Sequence, residues 1–238
     1  MKGALARAAG LTLGIVVRVA ECLIRILATD GRRVYFDSAA YPWTAVLESA
    51  SQEMRKELDA VLADRASIPN FQDVSEEQRT ITRDDRWKVF IFAVFGTAVV
   101  QNCRRCPRTV AALQSIPGLR NAMFSILAPH KTIPPHRGPY NGLLRYHLAL
   151  KVPRAASACA ITVGGITCHW QEGLTLIFDD TYAHSVHNDT DEERVVLFAD
   201  FERPLPLPLA FFNRIVLAAI ARTPLARGPL ERLRNAEA

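Results

Sequence analysis

All six histidines of this 238-residue chain lie between His130 and His187. Two of them, His136 and His184, stand in segments that read as halves of one site: HRGPYNGLLRYHL (136–148) and FDDTYAH (178–184), with Arg194 ten residues further on. Clustered imidazoles bind divalent metals, and an arginine on a strand beside them holds a carboxylate through charge-assisted hydrogen bonds. A lone histidine is usually structural or solvent-exposed, so the residues by themselves leave a metal site and a structural role both standing. His130, His169 and His187 read as surface residues.

The elements that must carry these groups follow from periodicity. Along the strand that starts at Gly142, side chains alternate, so Leu144, Tyr146, Leu148 and Leu150 share one face while Leu143, Arg145, His147 and Ala149 share the other. An arginine and a histidine on one face of an apolar strand need partners, because an unpaired buried charge costs several kcal/mol. Two readings remain open: the pair binds an anionic ligand, or Arg145 belongs to an internal ion pair with Asp200. From Asn121 onward, short apolar runs (121–128, 142–152, 158–163, 166–170, 174–178, 194–202) are separated by Gly, Pro and Asn/Asp clusters, the rhythm of a β-sandwich or barrel. Earlier in the chain, residues 44–64 predict an amphipathic helix, 87–95 a strand and 109–115 a short helix. The expected fold is mainly β with flanking helices, a double-sheet jelly roll like that of cupins.

Both ends of the chain are apolar. Residues 8–28 are interrupted by Arg18, Glu21 and Arg25, which share one helical face opposite Val16, Val19, Leu23, Ile26 and Leu27. The longest uncharged run is about half of the roughly 20 residues a spanning helix needs, so an interfacial amphipathic helix is expected rather than a span or a signal peptide. Residues 208–222 are again apolar, and Arg227, Arg232 and Arg234 follow. The two ends point to a membrane surface, with packing on the protein's own sheet or in a dimer as the other reading. The expected organisation is an N-terminal amphipathic helix over 1–30, a central domain over 31–205, and a C-terminal helix with a basic tail over 206–238.

The formal charge of +5 permits an anionic partner. No zinc-finger spacing, ribonucleoprotein aromatic motif or basic tract interleaved with aromatics is present, so no nucleic acid is expected. Five scattered cysteines are too few for a disulfide scaffold, and Cys103 and Cys106 form a lone CxxC pair without the second pair that a four-cysteine zinc site requires.

The two histidine segments also carry a family likeness. In HRGPYNGLLRYHLAL (136–150) and WQEGLTLIFDDTYAHSVHNDTDEERVVLFADF (170–201) the chain resembles the aspartyl/asparaginyl β-hydroxylase family of Fe(II)- and 2-oxoglutarate-dependent dioxygenases, over roughly 36–204. The resemblance implies a double-stranded β-helix fold, His136 and His184 as iron ligands, and Ser125, Arg145, His147 and Arg194 as contacts to 2-oxoglutarate. The cofactor set it implies is Fe(II), 2-oxoglutarate as co-substrate and O2. Many related oxygenases add a carboxylate two residues after the first histidine, completing a triad of two histidines and one carboxylate; here that residue is Gly138. Asp180, four residues before His184, is the candidate that orients an iron-bound water or a histidine. Its other reading is a turn-forming residue beside Asp179.

Within the family, FQDVSEEQRTITRDDRWKVFIF (71–92), NCRRCPRT (102–109) and DFERPL (200–205) resemble the bacterial lipid A and ornithine-lipid hydroxylase branch. That resemblance implies hydroxylation at C-2 of an acyl chain, a membrane-lipid substrate and a place at the cytoplasmic face of the bacterial inner membrane, with the cytoplasm as the alternative. The alternatives are an aspartyl/asparaginyl or free amino-acid hydroxylase using the same site, and a jelly-roll binding module whose histidines hold a structural metal. The sequence sets no oligomeric state.

Overall fold

The computed structural model describes residues 2–236. Its strands are β1 (Tyr35–Phe36), β2 (Trp87–Val94), β3 (Thr97–Ala98), β4 (Leu119–Leu127), β5 (Lys131–His136), β6 (Leu143–Lys151), β7 (Cys159–Val163), β8 (Ile166–His169), β9 (Thr175–Phe178), β10 (His184–Asn188) and β11 (Arg194–Glu202). They form two antiparallel sheets, a seven-stranded one in the order β1-β9-β6-β11-β4-β2-β3 and a four-stranded one in the order β5-β10-β7-β8. The helices are α1 (Lys2–Leu27), α2 (Thr44–Ser49), α3 (Ser51–Leu62), α4 (Phe71–Val74), α5 (Val100–Arg105), α6 (Pro107–Leu113), α7 (Leu209–Ile220) and α8 (Pro224–Ala236). This is a jelly roll with helices on the outside, the expected fold class.

The larger sheet has two unlike faces, as the alternation in β6 requires. Tyr146 and Leu148 of β6, Leu197 and Phe201 of β11 and Phe124 of β4 are buried on its outer face against α2, α3 and α6. Burial of each such side chain is worth about 1.5–3 kcal/mol. The opposite face looks into the sandwich, where Met123, Val196 and Phe198 meet Ile133, Ile161 and Val186 of the smaller sheet. Register sets a polar row into this inner face: Asp200 lies opposite Asn121 of β4 and Arg145 of β6, and Phe198 lies opposite His147.

The helix expected over 44–64 is two helices hinged at Ala50. Leu47 ahead of the hinge and Met54 and Leu58 after it all reach the same core, and Glu48 accepts a hydrogen bond from the Thr175 amide at 3.0 Å, which ties α2 to β9. The short helix expected at 109–115 starts earlier, with Pro107 in its first turn, where a missing N–H costs nothing. The basic tail after residue 222 is also helical: Ala226, Leu230 and Leu233, spaced by four and three, turn one side of α8 to the protein.

The apolar face expected for α1 is divided. Ala20, Ile24 and Ala28 are buried in a cluster with Val216, Leu217 and Ile220 of α7, whereas Val19, Ile26 and Leu27 are exposed. The two helices bracket the loop between β5 and β6. Asn141 Nδ2 donates to the Glu21 carbonyl at 3.2 Å, Asn213 Nδ2 donates to the Gly142 carbonyl at 3.0 Å, and Tyr140 is buried between them. Gly142 is required here, since a Cβ would stand 2.0 Å from Asn213 Oδ1.

Candidate active site

His136 ends β5 and His184 begins β10, and antiparallel pairing sets the two residues directly opposite one another, with ring centroids 4.1 Å apart. The Nδ1 atom of each ring lies beside the carbonyl two residues back: His136 at 2.9 Å from Pro134 O and His184 at 3.0 Å from Tyr182 O. Each Nδ1 must therefore carry the hydrogen, which leaves each Nε2 with a free lone pair. Burial lowers the pKa of His184 to about 3, helped by the charge of Arg145 and by His136. Burial likewise depresses that of His136. Two neutral imidazoles with bare Nε2 atoms are the donor set a divalent transition metal requires, so the residues present fit such an ion. Among the described residues, no cluster of three or more His, Cys, Asp or Glu side chains could hold a metal; the histidine pair has no carboxylate third ligand of its own.

The place such a ligand would take is filled differently. A Cβ on Gly138 would lie 2.0–2.2 Å from the carboxylate of Asp180, so the aspartate occupies the space a side chain at 138 would need. The Gly138 amide also donates to the Asp180 carbonyl at 2.8 Å. Asp180 is buried and ion-paired with Arg145 Nη2 at 2.8 Å; burial pushes its pKa up to about 7 against the pull of that arginine. The turn expected of the Asp179-Asp180 pair belongs to Asp179, whose Oδ1 accepts from the Thr181 amide at 3.0 Å and whose other oxygen pairs with the buried Arg203. Asp180 is thereby left to the site.

A cavity of about 120 Å3 runs from the two histidines to Arg194, His147 and Ser125. The Arg194 guanidinium lies 4.7 Å over the Trp170 ring and donates to the Ser125 carbonyl at 3.2 Å. Among the described residues it has no carboxylate within ion-pair reach, its Nε has no partner, and burial lowers its pKa to about 10. His147 is buried, and the Trp170 indole N–H points at its Nδ1 at 3.4 Å. Burial, with Arg194 and Arg145 nearby, holds this imidazole neutral; with Nδ1 accepting, its hydrogen sits on Nε2, which has no partner. Ser125 Oγ accepts from Trp87 Nε1 at 3.0 Å, leaving its own hydrogen to donate. A cation and two neutral donors thus line one small cavity whose acid, Asp180, is paired with Arg145 and not with Arg194.

Arg145 differs from Arg194. Its Nε donates to Asp200 Oδ1 at 3.0 Å and its Nη2 pairs with Asp180, while the guanidinium lies 4.2 Å over Phe198. Of the two readings open for this residue, the internal ion pair with Asp200 is present. Arg145 lines the cavity and can offer it a hydrogen bond, but not an uncompensated charge. The other histidines stand apart. His130 meets Asp191 at 2.9 Å on the surface, His169 lies by backbone carbonyls near Ala156, and His187 points to the face of β10 opposite His184. Cys103 donates to the Phe92 carbonyl and the Cys106 thiol is buried with its pKa pushed up to about 12, which suits packing rather than redox work. Trp170 was not foreseen: no local pattern marks it, and only the turn after β8 brings it to both Arg194 and His147.

In this jelly roll, facing histidines on adjoining strands lie across one cavity from a buried cation, a donor pair that suits a metal opposite a group that suits an anion. The profile of the aspartyl/asparaginyl β-hydroxylases matches residues 48–204, and the chain belongs to that family. It is 46% identical over 216 residues to an ornithine lipid ester-linked acyl 2-hydroxylase of Rhizobium tropici, covering 91% of this chain and 77% of that protein. It is 39% identical over 132 residues to aspartate β-hydroxylase domain-containing protein 2 of the rat, of which it spans 38%. Among solved structures, a prolyl hydroxylase from Trichoplax adhaerens aligns over 65% of this chain and 79% of that one at 14% identity, with a TM-score of 0.47.

Proposed function

We propose that this protein is an Fe(II)- and 2-oxoglutarate-dependent dioxygenase that hydroxylates C-2 of an acyl chain in a membrane lipid, with ornithine lipid and lipid A as the substrates to test. The observation that carries the reading is Arg194: a buried guanidinium without a carboxylate partner, facing a cavity that also receives the donors of His147 and Ser125. An unneutralised charge in such a place needs an anion to complete it. A dicarboxylate that reaches from Arg194 towards His136 and His184 supplies one.

His136 and His184 would hold the iron through Nε2, the tautomer being fixed by the carbonyls of Pro134 and Tyr182. Bound there with 2-oxoglutarate and O2, the iron supplies oxidative decarboxylation to succinate and CO2, with transfer of one oxygen atom into a C–H bond. The rest falls to the protein. Arg194 clamps the distal carboxylate, Trp170 covers the face of that guanidinium and orients His147, and Phe178 and Phe198 enclose His147 at 5.1 and 5.4 Å, keeping water from the cavity. Asp180, held by Arg145 beside Gly138, would orient polar groups next to the histidine pair.

The lipid substrate is supported by the identity to the Rhizobium protein and by the apolar surface of the terminal helices. Leu11, Ile15 and Val19 recur every four residues along α1 and are 71%, 62% and 49% exposed, and Leu207, Phe211 and Ile215 do the same at α7 with 82%, 64% and 51%. No single described helix is long and apolar enough to cross a membrane. Such faces suit helices lying at an interface, and we place the protein at the cytoplasmic face of the bacterial inner membrane. The test is mass spectrometry of total lipids, lipid A included, from bacteria expressing this chain or its His136→Ala variant. The expected result is an acyl chain heavier by one oxygen only with the intact histidine. No oxygen gain in any lipid, with the purified protein still converting 2-oxoglutarate to succinate, would refute the lipid assignment.

A further inference from the structure

A second cavity, of about 310 Å3, opens beside the first, and the two share Phe71, Gln78, Arg137, Arg145, Asp180 and Phe198 in their walls. Away from that junction its character changes. Ile91, Val94 and Met123 form one side from the inner face of the larger sheet, and Leu225 and Pro229 of α8 form the other. The roof is fastened: Arg232 donates from Nη1 to the Val74 carbonyl at 3.1 Å and pairs through Nη2 with Glu76 at 2.7 Å, pinning α8 over α4 and the turn that follows it.

From this arrangement we propose that the second cavity holds the tail of the substrate's acyl chain, which runs beneath α8 with its C-2 end at the junction walled by Arg145 and Asp180. The assignment rests on the functional reading above and adds the place where the chain lies. Three observations fix the class of ligand. The walls beyond the junction are mostly hydrocarbon, and the charged side chains among them, Glu77 and Asp200, are acids that would repel an anionic head group. At the junction Arg145 is engaged by both Asp180 and Asp200, and Arg137 donates to the Thr181 carbonyl at 3.1 Å, so that end offers polar groups of both signs to a carbonyl or ester. Finally, α8 follows directly on α7, whose Phe211 and Ile215 face outward, so the roof continues the surface assigned to the lipid bilayer.

Leu225 tests this, because it is half-buried on the roof and packs against the α1–α7 cluster, so that Leu225→Ala controls for loss of that packing. Binding of the methyl ester of cis-parinaric acid, followed by its fluorescence, is compared among the full-length wild type, Leu225→Trp and Leu225→Ala. The same strains are scored for the chain lengths of their hydroxylated lipids. Leu225→Trp should weaken probe binding at least tenfold and shift hydroxylation towards shorter chains, while Leu225→Ala, which fills nothing, stays within about threefold of the wild type. Unchanged probe binding in Leu225→Trp, or an equal loss in both variants, would overturn the assignment even where the wild type hydroxylates lipid. Selective loss in Leu225→Trp, in a protein from which no lipid ever gains oxygen, would keep the cavity assignment and remove the functional reading instead.

Discussion

Replacing Arg194 by methionine separates a ligand-binding cation from a structural one. Burial lowers the Arg194 pKa to about 10 from a usual value above 12. At about 1.4 kcal/mol for each tenfold change, the ligand-free protein carries roughly 3 kcal/mol of unfavourable desolvation at this one group. Methionine relieves it and forfeits the contact with Trp170, about 2 kcal/mol when desolvated, and the hydrogen bond to the Ser125 carbonyl, about 1.5–3 kcal/mol. The balance is a loss of no more than about 2 kcal/mol. Arg203 is the control, because its removal strands Asp179, which is 1% exposed, and breaking such a buried pair costs about 3–5 kcal/mol. In a protein of this size that lowers the unfolding midpoint by roughly 6–20 °C. With Mn(II) present throughout, 2-oxoglutarate at a hundred times its dissociation constant should add about 2.7 kcal/mol to the wild type, or roughly 5–11 °C, and nothing to Arg194→Met. The assay is thermal unfolding of each protein with and without 2-oxoglutarate. An Arg194→Met variant as unstable as Arg203→Met, or one that keeps the 2-oxoglutarate shift, would refute the assignment of Arg194 as the clamp.

Gly138→Ala should cost more than 2 kcal/mol and abolish turnover, because its methyl group must displace the Asp180 carboxylate 2.0–2.2 Å away; urea unfolding and succinate release check both, and a stable, active variant would contradict the packing. Asp180 and His184 oppose one another in acid. The depressed His184, near 3, is uncharged in the folded state but takes a proton when unfolded below about 6.5, so acidification weakens the fold; the raised Asp180, near 7, is protonated earlier in the folded state, so acidification strengthens it. Asp180→Asn removes the second effect, and between pH 7 and pH 5 it should lose more stability than the wild type does, measured by urea unfolding at each pH. A parallel pH response of the two proteins would count against the raised Asp180. Trp170→Phe keeps the ring but loses the N–H that sets the His147 tautomer, and should raise the 2-oxoglutarate requirement about five- to tenfold, roughly 1–1.4 kcal/mol, at little cost in stability; an unchanged requirement would release His147 from its assigned role.

Strand alternation makes the inner face of β6 readable in the sequence, since Arg145 and His147 interrupt an apolar strand two residues apart. The pairing of Arg145 with Asp200 was one of two readings the residues left open, and antiparallel register decides it by setting the two opposite each other across β6 and β11. Asp180 was less legible. A doublet of aspartates in a turn gives no sign of which member caps the turn and which faces inward, and that division follows from Arg203 taking Asp179. Trp170 and α8 were invisible for related reasons: the indole acts only through contacts made by distant strands, and a stretch with Pro229 and several arginines reads as a tail until Leu230 and Leu233 find a sheet to lie on. The divided face of α1 was likewise unreadable, because the partner that selects Ala20 and Ile24 over Val19 and Ile26 is α7, far away in sequence.

The bracketing of the loop after His136 by α1 and α7 has a practical bearing on how the protein is handled. Apolar termini invite removal when a protein is prepared for crystallisation or for assays in detergent-free buffer. Here the backbone of Glu21 and the side chain of Asn213 are bonded to the loop that carries the first histidine to its place, and Tyr140 is wedged between the two helices. A shortened version lacking either end would lose fastenings of the reaction centre together with its greasy surface, and its inactivity would say nothing about where the intact protein works.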